Sequence, residues 1–153
     1  MSPGTCAALV AAVTVAADQA VKALVRTTIE RGEEVHLILG VKLVNVRNRG
    51  IAFGMFSGGG ALLVIFALVA LAALLVFFVR HRHRPLVWLP TGLLIGGAAG
   101  NLIDRMRESG VTDFFDLPAW PAFNLADTAI TFGVLTLLYV LEGPPSRGPA
   151  RRD

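Results

Sequence analysis

The stretch from Ser57 to Arg84, SGGGALLVIFALVALAALLVFFVRHRHR, decides the fold class of this chain. No charged residue occurs between Ser57 and Val79, and the apolar run ends at the basic sequence RHRHR, positions 80–84. About 20 apolar residues, at roughly 1.5 Å per residue, cross a hydrocarbon core of about 30 Å. Arginine beside such a run is typical of the membrane surface. The stretch therefore predicts a membrane-spanning helix.

The composition of the whole chain favours the same interpretation. Of its 153 residues, 54% are hydrophobic and 16% are charged, whereas a soluble domain is roughly 45–50% apolar and about 25% charged. The net charge of +3 does not indicate nucleic-acid binding, because the basic residues are scattered between apolar runs. The single cysteine, Cys6, excludes an internal disulfide and has no neighbours at metal-ligand spacing. These features predict a membrane protein without a disulfide or zinc site.

Four apolar segments are long enough to be membrane helices, at about residues 5–25, 58–79, 85–103 and 124–141. The first is expected to stay uncleaved, because no Lys or Arg precedes it and Asp18 and Lys22 stand where a signal-peptide cleavage site would lie. Alternation around Val35 to Leu43 predicts a small β-hairpin at the membrane surface, within an insertion of about residues 27–56. The predicted fold is thus an all-α membrane domain, residues 1–142, with a β-rich insertion. Residues 143–153 are expected to form a disordered tail.

Four crossings would place both termini and the basic loop at 80–84 on one side of the membrane. The charge rule is equivocal, since that side holds six Lys or Arg and the other side holds eight. The short loop at 80–84 is dense in arginine, which favours a cytoplasmic location for the side that holds this loop and both termini. The insertion and the loop of residues 104–123 would then lie on the outer face.

Acidic residues at or near hydrocarbon are costly and are functional candidates by default. Five stand beside the apolar segments: Asp18, Asp104, Asp113, Asp116 and Asp127. Asp127 follows Asn124 by three residues, so both share a helix face, and helix capping could explain one of them but hardly both. Asp113 is a polar residue in the apolar loop before the fourth segment. It should lie close to the place where the helix that carries Asp127 enters the bilayer. Two such carboxylates would share a proton, which suits peptide hydrolysis.

The third segment ends in GGAAGNLIDR, residues 96–105, whose small residues allow close helix contact in lipid. On a continuing helix, Asn101, Asp104 and Arg105 share one face. The spacing does not decide the role of Asp104. It could form an ion pair with an arginine, or it could bind the substrate. For Asp18, four residues before Lys22, a structural ion pair is favoured.

The sequence lacks the residues of other catalytic sites. No serine is paired with a histidine within an apolar segment, as a serine protease would need. Neither the zinc-protease motif H-E-x-x-H nor the phosphate-binding motif G-x-x-x-x-G-K-[ST] occurs. Carboxylates remain as the candidate chemistry. The alternative function is a small transporter or channel subunit that uses Asp18, Asp104 and Asp127 as a proton or cation relay. A relay favours acids spread through the membrane depth, whereas Asp104, Asp113 and Asp127 fall at one face. A noncatalytic assembly subunit is the third possibility.

Five motifs in order resemble bacterial lipoprotein signal peptidase, also called signal peptidase II. They are DQAVK from Asp18, NRGIAFG from Asn48, GGAAGNLIDR from Gly96, VTDF around Asp113 and FNLADTAI from Phe123. The resemblance covers most of the chain from Asp18 to about Gly133. It implies an aspartic endopeptidase that removes the signal peptide of diacylglyceryl-modified prolipoproteins on the N-terminal side of the lipidated cysteine.

By the same resemblance, Asp113 and Asp127 would be the catalytic pair. Polar groups lining the substrate site would be Asn48, Asn101, Arg105 and Asn124, whereas Asp18, Lys22 and Asp104 would support the structure. The insertion would form a small β-cradle on the outer face of the cytoplasmic membrane. The expected partners are prolipoproteins, membrane lipid and globomycin-like inhibitors, with no metal, cofactor or nucleic acid, and a monomer is expected.

Overall fold

The computed structural model describes residues 1–49, 59–108 and 110–142. Its helices are α1 (Pro3–Thr28), α2 (Gly59–His81), α3 (Trp88–Glu108) and α4 (Leu125–Glu142). Four strands, β1 (Glu34–His36), β2 (Lys42–Asn48), β3 (Val111–Leu117) and β4 (Trp120–Phe123), form one antiparallel sheet in the order β1-β2-β3-β4. The predicted tail, residues 143–153, and residues 50–58 lie outside the described part of the chain.

Three of the described helices are long and apolar enough to cross a membrane: Pro3–Thr28, Val64–His81 within α2, and Leu125–Glu142. Helix α3 differs most from its predicted range of about 85–103, because it begins at Trp88 and continues to Glu108. The charged residues near its end do not terminate it, since Asp104 is paired with Lys22 of α1 at 3.0 Å. Its glycines and charged last turn keep it less apolar than the other helices.

The connection between α3 and α4 differs from the prediction. Residues 104–123 were predicted to form a loop, with β structure only in the insertion. Residues 111–123 instead form the hairpin β3–β4, and β3 pairs with β2 of the insertion. The first four residues of β3, Val111 to Phe114, are all buried. A strand buried on both faces shows no alternation of apolar and polar residues, so the usual pattern for a strand was missing.

Helix α3 lies between α1 and α4 because its glycines let both neighbours approach. A Cβ atom at Gly96 would lie 2.6 Å from the Cβ of Thr14 in α1, and one at Gly97 would lie 2.8 Å from Cγ1 of Ile130 in α4. In lipid, where apolar burial gives little drive for helix association, such close backbone contact is a main source of stability. The expectation of close helix contact at GGAAG is confirmed at these residues.

The sheet sits against the C-terminal end of α1. Val25 of that helix and Ile29, which directly follows it, pack with Phe114 of β3 in a buried apolar cluster, which Leu43 and Leu125 border. The cluster fixes β3 beside the first turn of α4. The neighbouring residue in β3, Asp113, is thereby placed where the sheet meets the helices.

Candidate active site

Asp113 and Asp127 are brought together through Asn124, which precedes α4. Asp113 lies in β3 and is 2% exposed, whereas Asp127 lies in the first turn of α4 and is partly exposed. The Asn124 Nδ2 atom donates to Asp113 Oδ1 at 2.7 Å, and the Asn124 backbone N–H donates to Asp127 Oδ2 at 3.3 Å. One residue therefore contacts both carboxylates that the sequence singled out.

The N-terminus of α4 is capped by both residues of the pair that the sequence analysis considered. Asn124 Oδ1 accepts the N–H of Asp127 at 2.9 Å, while the Asp127 carboxylate accepts the N–H of Asn124. This is a reciprocal capping box. The expectation that capping could explain only one of these residues is therefore wrong. Their additional bonds to Asp113 and Asn101 show that capping is not their only contact.

The remaining acceptor atoms of the two carboxylates are occupied by two further asparagines. Asn101 Nδ2 in α3 donates to Asp127 Oδ1 at 2.8 Å, and Asn48 Nδ2 in β2 donates to Asp113 Oδ2 at 3.0 Å. Asn124 also donates to Asn101 Oδ1, at 3.2 Å. Asparagines from β2, from α3 and from the position before α4 thus hold the two acids in fixed orientations.

A buried ionic cluster of Asp18, Lys22 and Asp104 lies behind these asparagines. Lys22 Nζ is 2.8 Å from Asp18 Oδ2 and 3.0 Å from Asp104 Oδ2, and all three side chains are at most 2% exposed. The same ammonium donates to Asn101 Oδ1 at 3.0 Å, and Asp18 Oδ1 accepts the N–H of Ala126 in α4 at 2.9 Å. The cluster therefore fixes α1, α3 and the start of α4 relative to one another.

The structure also shows the contacts of three further polar residues, Asp104, Arg105 and Gln19. The main ionic partner of Asp104 is Lys22, at 3.0 Å, and not the arginine of the predicted ion pair, since Arg26 Nη1 is more distant at 4.0 Å. Arg105 Nη1 donates to the carbonyl of Asn101 at 3.3 Å, one helical turn away on its own helix. Gln19, which the sequence analysis did not single out, donates to Asp104 Oδ1 at 2.9 Å. Only its position beside Asp18 in the DQAVK motif pointed to it.

The environment of Asp113 favours its protonated form. Burial raises the pKa of Asp113 from 3.8 to about 6, against the lowering effect of the amide donors of Asn48 and Asn124. The charge of Asp127 raises this pKa further, and that of Lys22 lowers it. A carboxyl group that gains and loses its proton near neutral pH is suited to general acid–base catalysis.

The raised pKa of Asp113 predicts a pH-dependent change in stability for Asp113→Asn. Between the unfolded pKa near 3.8 and the folded pKa near 6, the native state binds more protons, so stability falls as pH rises. The penalty is absent well below pH 3.8 and complete well above pH 6, and the shift corresponds to about 3 kcal/mol. We expect the melting temperature of the variant in detergent, relative to wild type, to be higher at pH 8 than at pH 4.

Asp116→Asn is the matched control, because it changes a partly exposed carboxylate of the same strand. Its melting temperature relative to wild type should not show this rise between the two pH values. A difference between Asp113→Asn and wild type that is the same at both pH values would contradict the assignment.

Within the described part of the chain, two cavities that reach the carboxylates are both lined by Pro121 and Ala122 of β4. One, of about 370 Å³, has Asp113, Asn48 and Arg49 in its wall. The other, of about 500 Å³, exposes Asp127 together with apolar and aromatic side chains; these include Leu117, Trp120, Phe123 and Phe132. A polypeptide in these cavities would pass beside both acids.

Sequence comparison with known proteins identifies one family. The sequence profile of the family described as "Signal peptidase (SPase) II" matches residues 10–142. The chain is 40% identical to the lipoprotein signal peptidase of Halothermothrix orenii, over 87% of this chain and 92% of the relative. It is 42% identical to the lipoprotein signal peptidase of Moorella thermoacetica, over 89% of this chain and 92% of that protein.

Solved structures show the same likeness. A bacterial membrane enzyme determined at 1.9 Å superposes with a TM-score of 0.83 at 32% identity, covering 88% of this chain and 91% of the other. A second, determined at 2.3 Å, gives 0.82 at 30% identity over 96% and 93% of the two chains. These matches confirm the resemblance carried by the five sequence motifs. The chain belongs to the signal peptidase II family of aspartic peptidases.

Proposed function

We propose that this chain removes the signal peptide of diacylglyceryl-modified prolipoproteins, cutting on the N-terminal side of the lipidated cysteine. The observation that carries the proposal is the contact of Asn124 with both Asp113 and Asp127. Two carboxylates held by one residue, through its side-chain amide and its backbone N–H, can divide the tasks of a general base and a general acid. Membership of the signal peptidase II family supports the assignment of the substrate.

Burial and the raised pKa make Asp113 the better carrier of the shared proton. In the proposed reaction, Asp127 accepts a proton from water while the water oxygen forms a bond to the carbonyl carbon. Asp113 donates its proton to the carbonyl oxygen, which gives a neutral tetrahedral intermediate. Asp113 then recovers that proton as the carbonyl re-forms. Asp127 delivers its own proton to the departing amide nitrogen, so the C–N bond breaks into a carboxylic acid and an amine.

The site would be held in this geometry by the residues around it. Asn101 orients Asp127, and Asn48 orients Asp113, through single amide donors. Asp18, Lys22 and Asp104 would support the structure by joining α1 to α3 and α4. Arg105 lies one helical turn from Asn101 and would bind the substrate at the rim of the site.

The proposed placement is a single integral domain of residues 1–142 in the bacterial cytoplasmic membrane, with all four helices crossing. Both termini, the basic residues at 80–84 and the tail of residues 143–153 would be cytoplasmic. The sheet and the two acids would face outward, where an exported precursor presents its cysteine. The position of α3 between α1 and α4 supports its crossing as well, although its own composition is less apolar. Globomycin-like peptides would compete for this site, and we expect a monomer.

The proposal predicts strong selectivity for lipidated precursor. The cavity beside Asp127 is lined by Trp120, Phe123 and Phe132, so it offers apolar surface to a cysteine carrying acyl chains. Each CH₂ group of the acyl chains that is buried on this apolar wall contributes about 0.8 kcal/mol, a contribution that the unmodified precursor lacks. We expect kcat/KM for the diacylglyceryl precursor to exceed that for the unmodified precursor by at least about 100-fold.

The measurement compares both precursors with the same purified enzyme in lipid vesicles. The unmodified precursor keeps its apolar signal segment and therefore serves as the control for simple membrane attachment. Equal rates on the two precursors would refute the proposed specificity.

A further inference from the structure

Glu108 occupies a position that is unfavourable for an acidic residue. It is the last residue of α3, and the helix dipole opposes a negative charge at a helix C-terminus. Two arginines offset this cost. Glu108 Oε2 is 2.7 Å from Arg47 Nη2 in β2, and Glu108 Oε1 is 3.4 Å from Arg26 Nε in α1. The carboxylate thus joins α3 to a strand and to a second helix.

The strand residue that Glu108 holds stands next to a residue of the active site. Arg47 immediately precedes Asn48, whose amide donates to Asp113 Oδ2 at 3.0 Å. In the sheet, Arg47 lies opposite Thr112 and Asn48 opposite Val111, which places both at the end of β2. Holding the Arg47 side chain therefore restrains the backbone from which the Asn48 amide extends.

The rest of β2 is separated from this end by an irregularity. The register with β3 shifts between Leu43 and Val46, and regular pairing resumes from Val46 to Asn48, opposite Asp113 to Val111. Arg47 and Asn48 are therefore placed by contacts at their own end of the strand, which are this pairing and the side-chain contacts there. The ion pair of Arg47 with Glu108 is such a contact.

Arg26 has other partners besides Glu108. Its Nη1 atom donates to Thr112 Oγ1 at 3.2 Å and lies 4.0 Å from Asp104 Oδ1. Loss of the Glu108 carboxylate would leave Arg26 with these two contacts. Loss of the Glu108 carboxylate should therefore mainly affect Arg47 in β2.

We infer that Glu108 is a positioning residue for the proposed peptide hydrolysis: through Arg47 it holds the Asn48 amide on the Asp113 carboxylate. The inference rests on the proposed function, because it assigns Asp113 to the reacting pair. Glu108 itself contacts neither carboxylate of that pair and is not a catalytic residue.

The test is a double-mutant cycle of Glu108→Ala and Asn48→Ala, with kcat and KM measured on the diacylglyceryl precursor. We expect Glu108→Ala to lower kcat about tenfold, the scale of one lost hydrogen bond, with KM changed by less than about twofold. Asn48→Ala should lower kcat at least as much. Adding Glu108→Ala to Asn48→Ala should lower it no further, since residues that act through one contact are not additive.

Two further variants separate positioning from a general loss of structure. Glu108→Gln keeps an oxygen that can accept from Arg47, so it should recover part of the kcat lost in Glu108→Ala. Glu34→Ala breaks the 2.7 Å ion pair of Glu34 with Lys42 at the other end of β2 and should leave kcat unchanged within about twofold. A tenfold loss caused by Glu108→Ala in both backgrounds would overturn the inference, as would equal losses for Glu34→Ala and Glu108→Ala.

The cycle also distinguishes this inference from the proposed function. A wild-type protein that leaves the diacylglyceryl precursor intact would refute the proposed function. Full kcat in Glu108→Ala, alongside an active wild type and inactive Asp113→Asn, would refute the role of Glu108 alone.

Discussion

Asp113→Asn and Asp127→Asn are each expected to lower cleavage of a lipidated precursor by about 10²–10⁴-fold or more, the usual contribution of general acid–base catalysis. Asparagine preserves the size of the side chain but cannot take up or release the proton. In Asp113→Asn the carbonyl oxygen of the substrate loses its proton donor. In Asp127→Asn the attacking water loses its base.

The two variants can be separated from loss of structure. Asp116→Asn removes a carboxylate from the same strand as Asp113, at a partly exposed position, and should retain activity within about threefold. Melting temperatures in detergent should show that all three variants fold. Full activity in either Asp113→Asn or Asp127→Asn, with the protein folded, would contradict the assignment of the pair.

Lys22→Met is expected to have the largest effect on stability. The Lys22 ammonium neutralises Asp18 and Asp104, whose side chains are 0% and 2% exposed, and it donates to Asn101. Its removal would leave two carboxylates buried without their cation. Breaking a buried ion pair by removing one partner costs about 3–5 kcal/mol, so the free energy of unfolding should fall by that amount.

Lys42→Met is the matched control for Lys22→Met. Lys42 Nζ lies 2.7 Å from Glu34 Oε2, a distance close to the 2.8 Å between Lys22 and Asp18, but the pair is in contact with solvent. Its loss should change stability far less, because water replaces the lost interaction. Equal losses in the two variants, measured by denaturant or thermal unfolding in micelles, would refute the structural role of Lys22.

The helices and the two acids could be predicted from the sequence because each depends on local chemistry. The absence of charge from Ser57 to Val79 predicts a helix in lipid regardless of the rest of the fold. The three-residue spacing of Asn124 and Asp127 placed both side chains on one turn, where the structure has them. The pairing with Asp113 followed from its position in the loop before the fourth segment, and the motifs added the catalytic role.

The sheet partners and ionic contacts could not be predicted, because they join residues far apart in sequence. Nothing near Asp113 indicates that Asn48, in β2, would donate to it. The partner of Asp104 is Lys22 from another helix, although arginines lie closer along the chain. Asp127 has both a capping and a catalytic interpretation because its two oxygens face different donors, which only the fold reveals.

The proposed cleavage is tested by mass spectrometry of the products formed from a diacylglyceryl prolipoprotein in water enriched in ¹⁸O. We expect a mature protein whose N-terminal residue is the S-diacylglyceryl cysteine. The released signal peptide should carry one ¹⁸O atom in its new carboxylate, because water attacks the carbonyl carbon directly. An uncut precursor, or cleavage at a different bond, would contradict the account.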